Sequence, residues 1–415
     1  MQPENVADSA ALSLTQAIEP GYISNPYPIY HRLREDDPVR WDEGSHAWVL
    51  TGYADVVAAL RDQRLSAVRF MLDPDWFPEE IRATLTAPSR ALTRQMLFLD
   101  PPDHTRLRSL VVKAFTPRVI EAMRPNIQQL VDELLDAVLP QGRMDVINDF
   151  AYPLPAIVIA QMLGVPPEDR DKFTRWTSSF GFLIGANNPT IEAVIQALYD
   201  VAAFIDYFRA IIIRRRTTPE DDLMQAMIAA EEQGDRLSEE ELLANCVLLL
   251  AAGHGTTTHL ISNGMLALLQ HPDQLVELRD NPSLISSAVA ELLRYDSPVQ
   301  LTSRLAREDF ELRGKTIMAG QALSMHIGAA NRDPAQFAQP DRLDLHRFEN
   351  RHLAFGHGIH YCLGAPLARI EAEIAFATLL RRLREPRLLA PVLEWAPSLV
   401  FRALSSLPIS FVAQT

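Results

Sequence analysis

The chain has 415 residues, of which 47% are hydrophobic and 22% are charged, a composition that supports a large buried core. Its 39 lysines and arginines face 53 aspartates and glutamates, and the net charge of −14 argues against non-specific nucleic-acid binding. Two cysteines, Cys246 and Cys362, are too few for a secreted disulfide scaffold. No break in composition divides the chain, so we expect one domain over residues 1–415, with residues 1–20 a flexible extension.

The start of the chain carries no sign of a leader peptide. The sequence from Met1 to Asn5 has no basic segment followed by an apolar stretch. The most apolar run, 246–252, is far shorter than the roughly 20 residues that a membrane helix needs. We therefore expect a cytoplasmic, soluble protein without a membrane partner.

Apolar residues recur every three or four positions along much of the chain, and this spacing predicts helices. The predicted helices are Asp55–Arg61, His104–Phe115, Val119–Val138, Pro155–Leu163, Pro189–Arg216, Glu239–Leu269, Pro282–Tyr295 and Ala365–Arg384. The predicted strands are Ala47–Thr51, Phe310–Leu312, Ala322–Ile327 and Pro408–Val412. Prolines such as Pro88 are expected to separate elements rather than to kink them. The predicted fold class is mainly α with small β-sheets.

The run from Phe355 to Gly364 reads Phe-Gly-His-Gly-Ile-His-Tyr-Cys-Leu-Gly and places Cys362 among glycines just before a predicted helix. Glycines let the backbone approach a flat, bulky group, and a thiolate is one of the few ligands that haem iron accepts. Two other interpretations remain open: an inert buried cysteine and a zinc site. Zinc is disfavoured because Cys362 has no cysteine partner at zinc spacing. The histidines nearby are His346, His352, His357 and His360.

This run resembles the haem-binding loop of the cytochrome P450 family of monooxygenases, which reads Phe, Gly, any, Gly, any, His, any, Cys, any, Gly. The resemblance implies a cytochrome P450 fold over the single domain, with haem b between the long central helix and the cysteine loop. It assigns Cys362 as the axial thiolate ligand of the iron. It also places Phe355, Gly356 and Gly364 around the cofactor.

The predicted helix Glu239–Leu269 is roughly 45 Å long, enough to cross the domain. Ser238 precedes three glutamates, a typical start for a helix. Gly253 and Gly255 lie in its middle, where each glycine costs about 1 kcal/mol relative to alanine. Two interpretations remain: close helix packing, or a groove above the haem for dioxygen. In the second, the Thr256 hydroxyl bonds to the carbonyl four residues earlier and loosens the helix.

The same segment resembles the oxygen-activating segment of the family, Ala/Gly-Gly-any-acid-Thr-Thr. By this resemblance Thr256 hydrogen-bonds the oxygen, but Gly255 stands where the family usually carries Glu or Asp. Glycine cannot relay protons. Water, His254, a substrate hydroxyl or another side chain must then supply them, or the native cycle is slow or uncoupled.

His104 and Arg108 lie four residues apart on one predicted helical face, so both can donate to one carboxylate. Without the cysteine loop, such a face would be interpreted as solvated surface. With it, the two side chains are candidates to bind the haem propionates. By similarity to the family, Arg304 and His360 also bind them.

Glu291 and Arg294 match the family's Glu-any-any-Arg motif. The resemblance adds Arg342, about 20 residues before Cys362, to complete a Glu–Arg–Arg cluster. Such a buried cluster orders the core near the haem rather than taking part in the reaction.

These motifs predict a haem-thiolate monooxygenase that inserts one oxygen atom from dioxygen into a lipophilic small molecule, by hydroxylation or epoxidation. The family implies a ferredoxin and its reductase as electron donors, and we expect a monomer. A peroxide-driven peroxygenase and a non-catalytic haem-binding protein are the alternatives, and both are compatible with Gly255. By resemblance, the substrate pocket includes residues 70–72 together with Leu97, Leu248, Ala252, Val299 and Phe401.

Overall fold

The computed structural model describes residues 12–69, 77–166, 169–187, 189–220, 222–232 and 237–413. The pocket positions predicted at 70–72 lie outside these ranges. Among the described residues, no helix is both long and apolar enough to cross a membrane.

Helices dominate the described chain, as the apolar spacing predicts. They are α1 (Tyr27–Asp36), α2 (Tyr53–Arg61), α3 (Glu79–Thr93), α4 (Asp103–Val111), α5 (Pro117–Ala122), α6 (Arg124–Val138), α7 (Pro153–Met162), α8 (Arg170–Gly185), α9 (Ile191–Thr217), α10 (Leu223–Glu232), α11 (Glu239–Gln270), α12 (Pro272–Asp280), α13 (Ile285–Tyr295), α14 (Ile327–Ala330) and α15 (Ala365–Arg382). Short 3-10 turns extend several of them.

The strands are short and form small sheets. They are β1 (Val39–Asp42), β2 (Ala47–Leu50), β3 (Leu65–Ser66), β4 (Arg143–Asp145), β5 (Leu301–Ala306), β6 (Phe310–Leu312), β7 (Lys315–Ile317), β8 (Ala322–His326), β9 (Leu383–Leu388) and β10 (Pro408–Ala413). Five of them pair in the order β1-β2-β8-β5-β3, three as β4-β10-β9, and β6 pairs with β7. In the first sheet β2 and β8 run parallel, and Arg304 of β5 pairs with Leu323 of β8.

Helix α11 runs through the main hydrophobic core and packs against α7, α8, α9 and α15. Its start carries a complete capping box: the Glu241 amide donates to Ser238 Oγ at 3.2 Å, and the Ser238 amide donates to Glu241 Oε2 at 2.9 Å. The helix is buried nearly all round because its residues are apolar on every face. This confirms the predicted long central helix.

Two sequence predictions fail at prolines. Pro88 does not separate elements but lies inside α3, where its ring is buried. The helix predicted over Val119–Val138 is divided at Met123, because Pro125 occupies the first turn of α6.

The start of the described chain is packed rather than free. Leu14–Ile18 forms a 3-10 turn whose Leu14 and Ala17 side chains are buried in a small cluster with α1. Residues 12–20, which the sequence assigns to a flexible extension, therefore belong to the folded body. Residues 1–11 lie outside the described chain.

Candidate active site

Helix α11 is buried along most of its length but keeps one strip of accessible surface near its middle. Between 241 and 268, the residues that are not buried are Ala252, Gly253, Gly255, Thr256 and His259. Positions 252, 255, 256 and 259 follow the three-and-four spacing of one helical face. Because the helix is internal, this strip (Ala252, Gly255, Thr256 and His259) borders a space inside the protein.

The two glycines of α11 have different surroundings. A Cβ atom added at Gly253 would lie 3.2 Å from Cγ1 of Ile159 on α7, so this glycine permits close helix packing. A Cβ added at Gly255 would meet no described atom within 4 Å. Close packing therefore explains Gly253, and the open groove is at Gly255.

The Thr256 hydroxyl adopts the bond that the sequence predicts. Its Oγ1 donates to the Ala252 carbonyl at 2.9 Å, four residues earlier. Both residues belong to the accessible strip, so the hydroxyl lies at the edge of the internal space.

His254 is on another side of the helix, and the structure does not support it as a source of protons for the strip. Its Nε2 lies 3.2 Å from the Tyr152 carbonyl, and its Nδ1 lies 3.2 Å from the Thr177 hydroxyl. Burial lowers the pKa of His254 to about 4, so the ring is neutral at pH 7. Both ring nitrogens are thus occupied between α7 and α8.

The cysteine loop is shaped by its glycines. Gly356 and Gly358 have φ angles of 70° and 73°, and a Cβ at Gly358 would lie 2.7 Å from the Leu60 carbonyl oxygen. The loop closes when the Cys362 amide donates to the Phe355 carbonyl at 2.9 Å. The loop conformation thus needs glycine at positions where the motif supplies it.

The Cys362 thiol borders an internal space. Surrounding protein atoms raise the pKa of this thiol, while backbone N–H groups of Gly364 and Ala365 donate to the sulfur and oppose the rise. Cys362 nevertheless keeps accessible surface. A group that is desolvated by its neighbours and still accessible faces a cavity rather than bulk water.

Two histidines from distant segments meet beside this loop. His104 of α4 is 2% exposed, and its ring centroid lies 4.1 Å from that of His360. Both ring nitrogens of His104 and Nε2 of His360 are buried with no hydrogen-bond partner in the described chain. Burial lowers the pKa of His104 and lowers that of His360 to about 3. Unpartnered buried donors call for an acceptor.

A buried arginine and a half-buried one add positive charge to the same region. Arg304 donates to the Ser303 carbonyl at 2.8 Å, and burial lowers its pKa to about 10. Arg69, which no sequence motif marks, lies 4.9 Å from the Phe98 ring, and burial together with Arg304 lowers its pKa to about 9. The nearby carboxylate, Asp100, is already bonded to Arg307. Only folding brings Arg69 here, so sequence patterns gave no signal for it.

Arg108 is partly engaged with the cysteine loop itself. Its Nη2 donates to the Tyr361 carbonyl at 2.6 Å, next to Cys362. Helix α4 places His104 and Arg108 one turn apart, as predicted. An iron porphyrin with two carboxylates needs a ligand for the iron and hydrogen-bond donors for the carboxylates. The accessible thiol of Cys362 suits the iron, and the neighbouring arginines and unpartnered imidazoles suit the carboxylates.

The Glu–Arg–Arg cluster forms, but Arg342 is not its third member. Glu291 bonds Arg294 at 2.7 and 2.8 Å, and Arg347 Nε lies 3.0 Å from Glu291 Oε2. Arg342 is exposed and contributes only its carbonyl, which accepts from Arg294 at 3.2 Å. Arg347 is the third member, because the turn after Asp344 directs its side chain toward Glu291. The Asp344 amide itself donates to Glu291 Oε1 at 3.0 Å.

Of the predicted pocket residues, Val299, Phe401 and Leu248 lie near the accessible strip, whereas Leu97 packs elsewhere in the core. Val299 pairs with Phe401 across an isolated β-bridge, and the Phe401 ring centroid lies 6.4 Å from that of His259 at the end of the accessible strip. Leu248 is buried one turn before Ala252. Leu97 packs against the main core from the turn after α3.

A zinc interpretation gains no support, since no group of three or more His, Cys, Asp or Glu side chains in the described ranges is arranged to hold a metal ion.

Comparison with known proteins identifies the family. A family model for cytochrome P450 matches residues 43–385, most of the chain. The chain belongs to the cytochrome P450 family. It is an oxidoreductase of the monooxygenase type, and the family implies haem with a cysteine thiolate ligand.

Relatives of known name cover nearly the whole of this P450. Cytochrome P450 CYP107DY1 of Priestia megaterium is 47% identical over 88% of this chain and 90% of its own length. The monooxygenase PikC of Streptomyces venezuelae is 42% identical over 95% of this chain and 92% of its own. The crystal structure of P450BioI in complex with acyl carrier protein bearing hexadec-9Z-enoic acid has a TM-score of 0.87 and 41% identity, over 94% of this chain and all of that one.

Proposed function

We propose that this P450 binds haem b through the Cys362 thiolate and inserts one oxygen atom from dioxygen into a lipophilic small molecule, by hydroxylation or epoxidation. Electrons come from a separate ferredoxin and its reductase. The observation that carries the proposal is the accessible yet desolvated Cys362 thiol in a loop whose glycines have positive φ. When bound, haem supplies the oxygen chemistry.

The residues of this chain then act as follows. Backbone N–H groups of Gly364 and Ala365 donate to the sulfur and stabilise its thiolate form. His104, Arg304 and His360 would donate to the haem propionates, and Arg69 would add a further positive charge beside them. Arg108 orients the loop through the Tyr361 carbonyl.

On the other side, the open groove at Gly255 would leave room for dioxygen. The Thr256 hydroxyl, which donates to the Ala252 carbonyl in this structure, would release that bond in order to donate to dioxygen. The apolar side chains of Leu248, Val299 and Phe401 favour a lipophilic substrate, since they offer no ionic anchor. The structure of the relative P450BioI contains hexadec-9Z-enoic acid ligated to acyl carrier protein. A long-chain fatty acyl group is therefore the first substrate class to screen.

The test is the absorbance of the reduced protein under carbon monoxide. Wild type is expected to show the band diagnostic of thiolate-ligated haem, and Cys362→Ala is expected to lose it. Cys246→Ala is the matched control, because Cys246 is fully buried in α11 and should leave the band unchanged. A band that survives in Cys362→Ala contradicts the proposal.

A peroxide-driven peroxygenase is the second candidate, and Gly255 favours it because no acid stands at that position of the groove. Turnover of hexadec-9Z-enoic acid with hydrogen peroxide, and none with a ferredoxin, its reductase and dioxygen, would support it. Turnover with the ferredoxin system supports the first candidate.

A further inference from the structure

His259 is the titratable side chain of the accessible strip, and it lies outside the haem-binding and oxygen-activating motifs. It follows Gly255 by four residues and Thr256 by three, on the same face of α11. Helical side chains lean toward the helix N-terminus, so the His259 imidazole covers the turn that contains Gly255 and Thr256. That turn borders the internal space.

The surroundings of His259 leave part of its ring unsatisfied. The residue is half-buried, and its Nδ1 atom is buried with no hydrogen-bond partner in the part of the chain that the structure describes. Burial lowers the pKa of His259 to about 4, so at pH 7 the ring is neutral and carries one N–H donor and one acceptor nitrogen.

His254 provides the contrast within the same helix. Its two ring nitrogens already face the Tyr152 carbonyl and the Thr177 hydroxyl, so it has no free site for a proton on the strip side. Gly255 contributes no side chain, and a Cβ atom added there would meet no described atom within 4 Å. Of the two histidines in the middle of α11, only His259 borders the groove.

We propose that the His259 imidazole is the proton-relay residue of this groove and replaces the acid that is missing at Gly255. The inference rests on the proposed haem site and adds to it the path of the protons. A neutral imidazole takes up a proton at its acceptor nitrogen and releases the proton of the other nitrogen, so it can pass protons through water to the region of Thr256.

The two oxidants differ in stoichiometry, but both require a proton at the oxygen that leaves as water. With dioxygen, a substrate C–H bond, two electrons from the ferredoxin and two protons give one C–OH group and one water. With hydrogen peroxide, the O–O bond breaks, one oxygen enters the C–H bond, and the other leaves as water after a proton has moved to it. In both cases a proton must reach the departing oxygen, and His259 relays it.

The experiment uses hydrogen peroxide and guaiacol as probes, so it needs neither the natural substrate nor the redox partner. The initial rate of guaiacol oxidation is measured for wild type and His259→Phe, both loaded with haem and checked for the carbon monoxide band. General acid–base groups contribute about 10²–10⁴-fold, and we expect the variant to be slower by at least about tenfold. His271→Asn, at the C-terminal end of the same helix, is the matched control and should keep the wild-type rate.

A rescue variant separates a relay from a structural role. Gly255→Glu in the His259→Phe background returns a carboxyl group to the adjacent turn, where the added Cβ meets no described atom within 4 Å. We expect the rate to recover toward wild type. A crystal structure of the haem-loaded wild type should also show ordered water within hydrogen-bond distance of the His259 ring, and a dry groove contradicts the proposal.

The remaining outcomes are decisive as well. A His259→Phe rate within twofold of wild type, with the carbon monoxide band intact, overturns the relay while leaving the proposed function standing. A slow variant that Gly255→Glu does not rescue assigns His259 a structural role and also overturns it. If His259→Phe lacks the band, His259→Asn is measured against the same criteria. A wild type without the band refutes the proposed function itself.

Discussion

At the scale of single residues, the third arginine of the Glu–Arg–Arg cluster shows what a sequence motif can and cannot predict. Glu291 and Arg294 are one helical turn apart, so their pairing follows from local spacing. The third member comes from a loop, where no periodicity fixes which arginine turns inward. Arg342 and Arg347 are five positions apart, and only the folded path of 340–350 selects Arg347.

This selection gives a prediction with its control in the same loop. Arg347→Ala leaves the fully buried Glu291 carboxylate with Arg294 as its remaining arginine, and we expect a loss of about 1.5–3 kcal/mol in the free energy of unfolding. Arg342→Ala removes an exposed side chain and should change it by less than about 0.5 kcal/mol. Urea unfolding followed by circular dichroism measures both. Equal losses in the two variants would contradict the corrected cluster.

At the scale of elements, the long helix is the part that the sequence predicts best. Its apolar periodicity, capping box and length all appear in α11 as expected. What periodicity cannot show is which face borders the groove, because both Gly253 and Gly255 lack side chains and differ only in what packs against them. Arg69 escaped prediction for the same reason: its partners are distant in sequence and meet it only after folding.

The two glycines give opposite expectations for the same substitution. Gly255→Ala adds a methyl group to open space and removes a mid-helix glycine, so we expect a gain of up to about 1 kcal/mol in unfolding free energy. Gly253→Ala gains the same helix propensity but presses its methyl against Ile159, at 3.2 Å, and overpacking costs about 1–3 kcal/mol. We expect Gly253→Ala to be the less stable of the two.

Thermal unfolding of the two alanine variants beside wild type measures this difference. The pair is matched, because both changes lie in one helix and add the same methyl group. Gly253→Ala should cost less in an Ile159→Ala background, which lacks the Cγ1 atom that the new methyl group meets, than it costs in wild type. If Gly253→Ala is as stable as Gly255→Ala, close packing does not explain Gly253.

At the scale of the whole molecule, the free energy of unfolding depends on pH in part because one carboxyl group is buried rather than ion-paired. Glu371 of α15 is 2% exposed, and its Oε2 has no hydrogen-bond partner in the described ranges. Burial raises the pKa of this carboxyl to about 8. It is therefore protonated in the folded state at pH 7, whereas in the unfolded chain it ionises near its ordinary value.

The sign of the effect follows from proton binding. Between the unfolded and folded pKa values the native state holds one proton more, so this group's contribution to stability falls as pH rises through that window. Glutamine mimics the protonated carboxyl and does not titrate. The stability difference between Glu371→Gln and wild type should be small at pH 5 and should grow, by up to about 1.4 kcal/mol per pH unit, toward pH 8.

Urea unfolding at pH 5, 6, 7 and 8 tests this expectation, because the variant-minus-wild-type difference cancels every other titrating group. Glu373→Gln is the control two residues away, where the carboxylate is paired with Arg124 at 3.2 Å and no gain toward high pH is expected. A Glu371→Gln difference that stays constant with pH would show that the carboxylate is ionised in the folded protein, with a cation or water beside it.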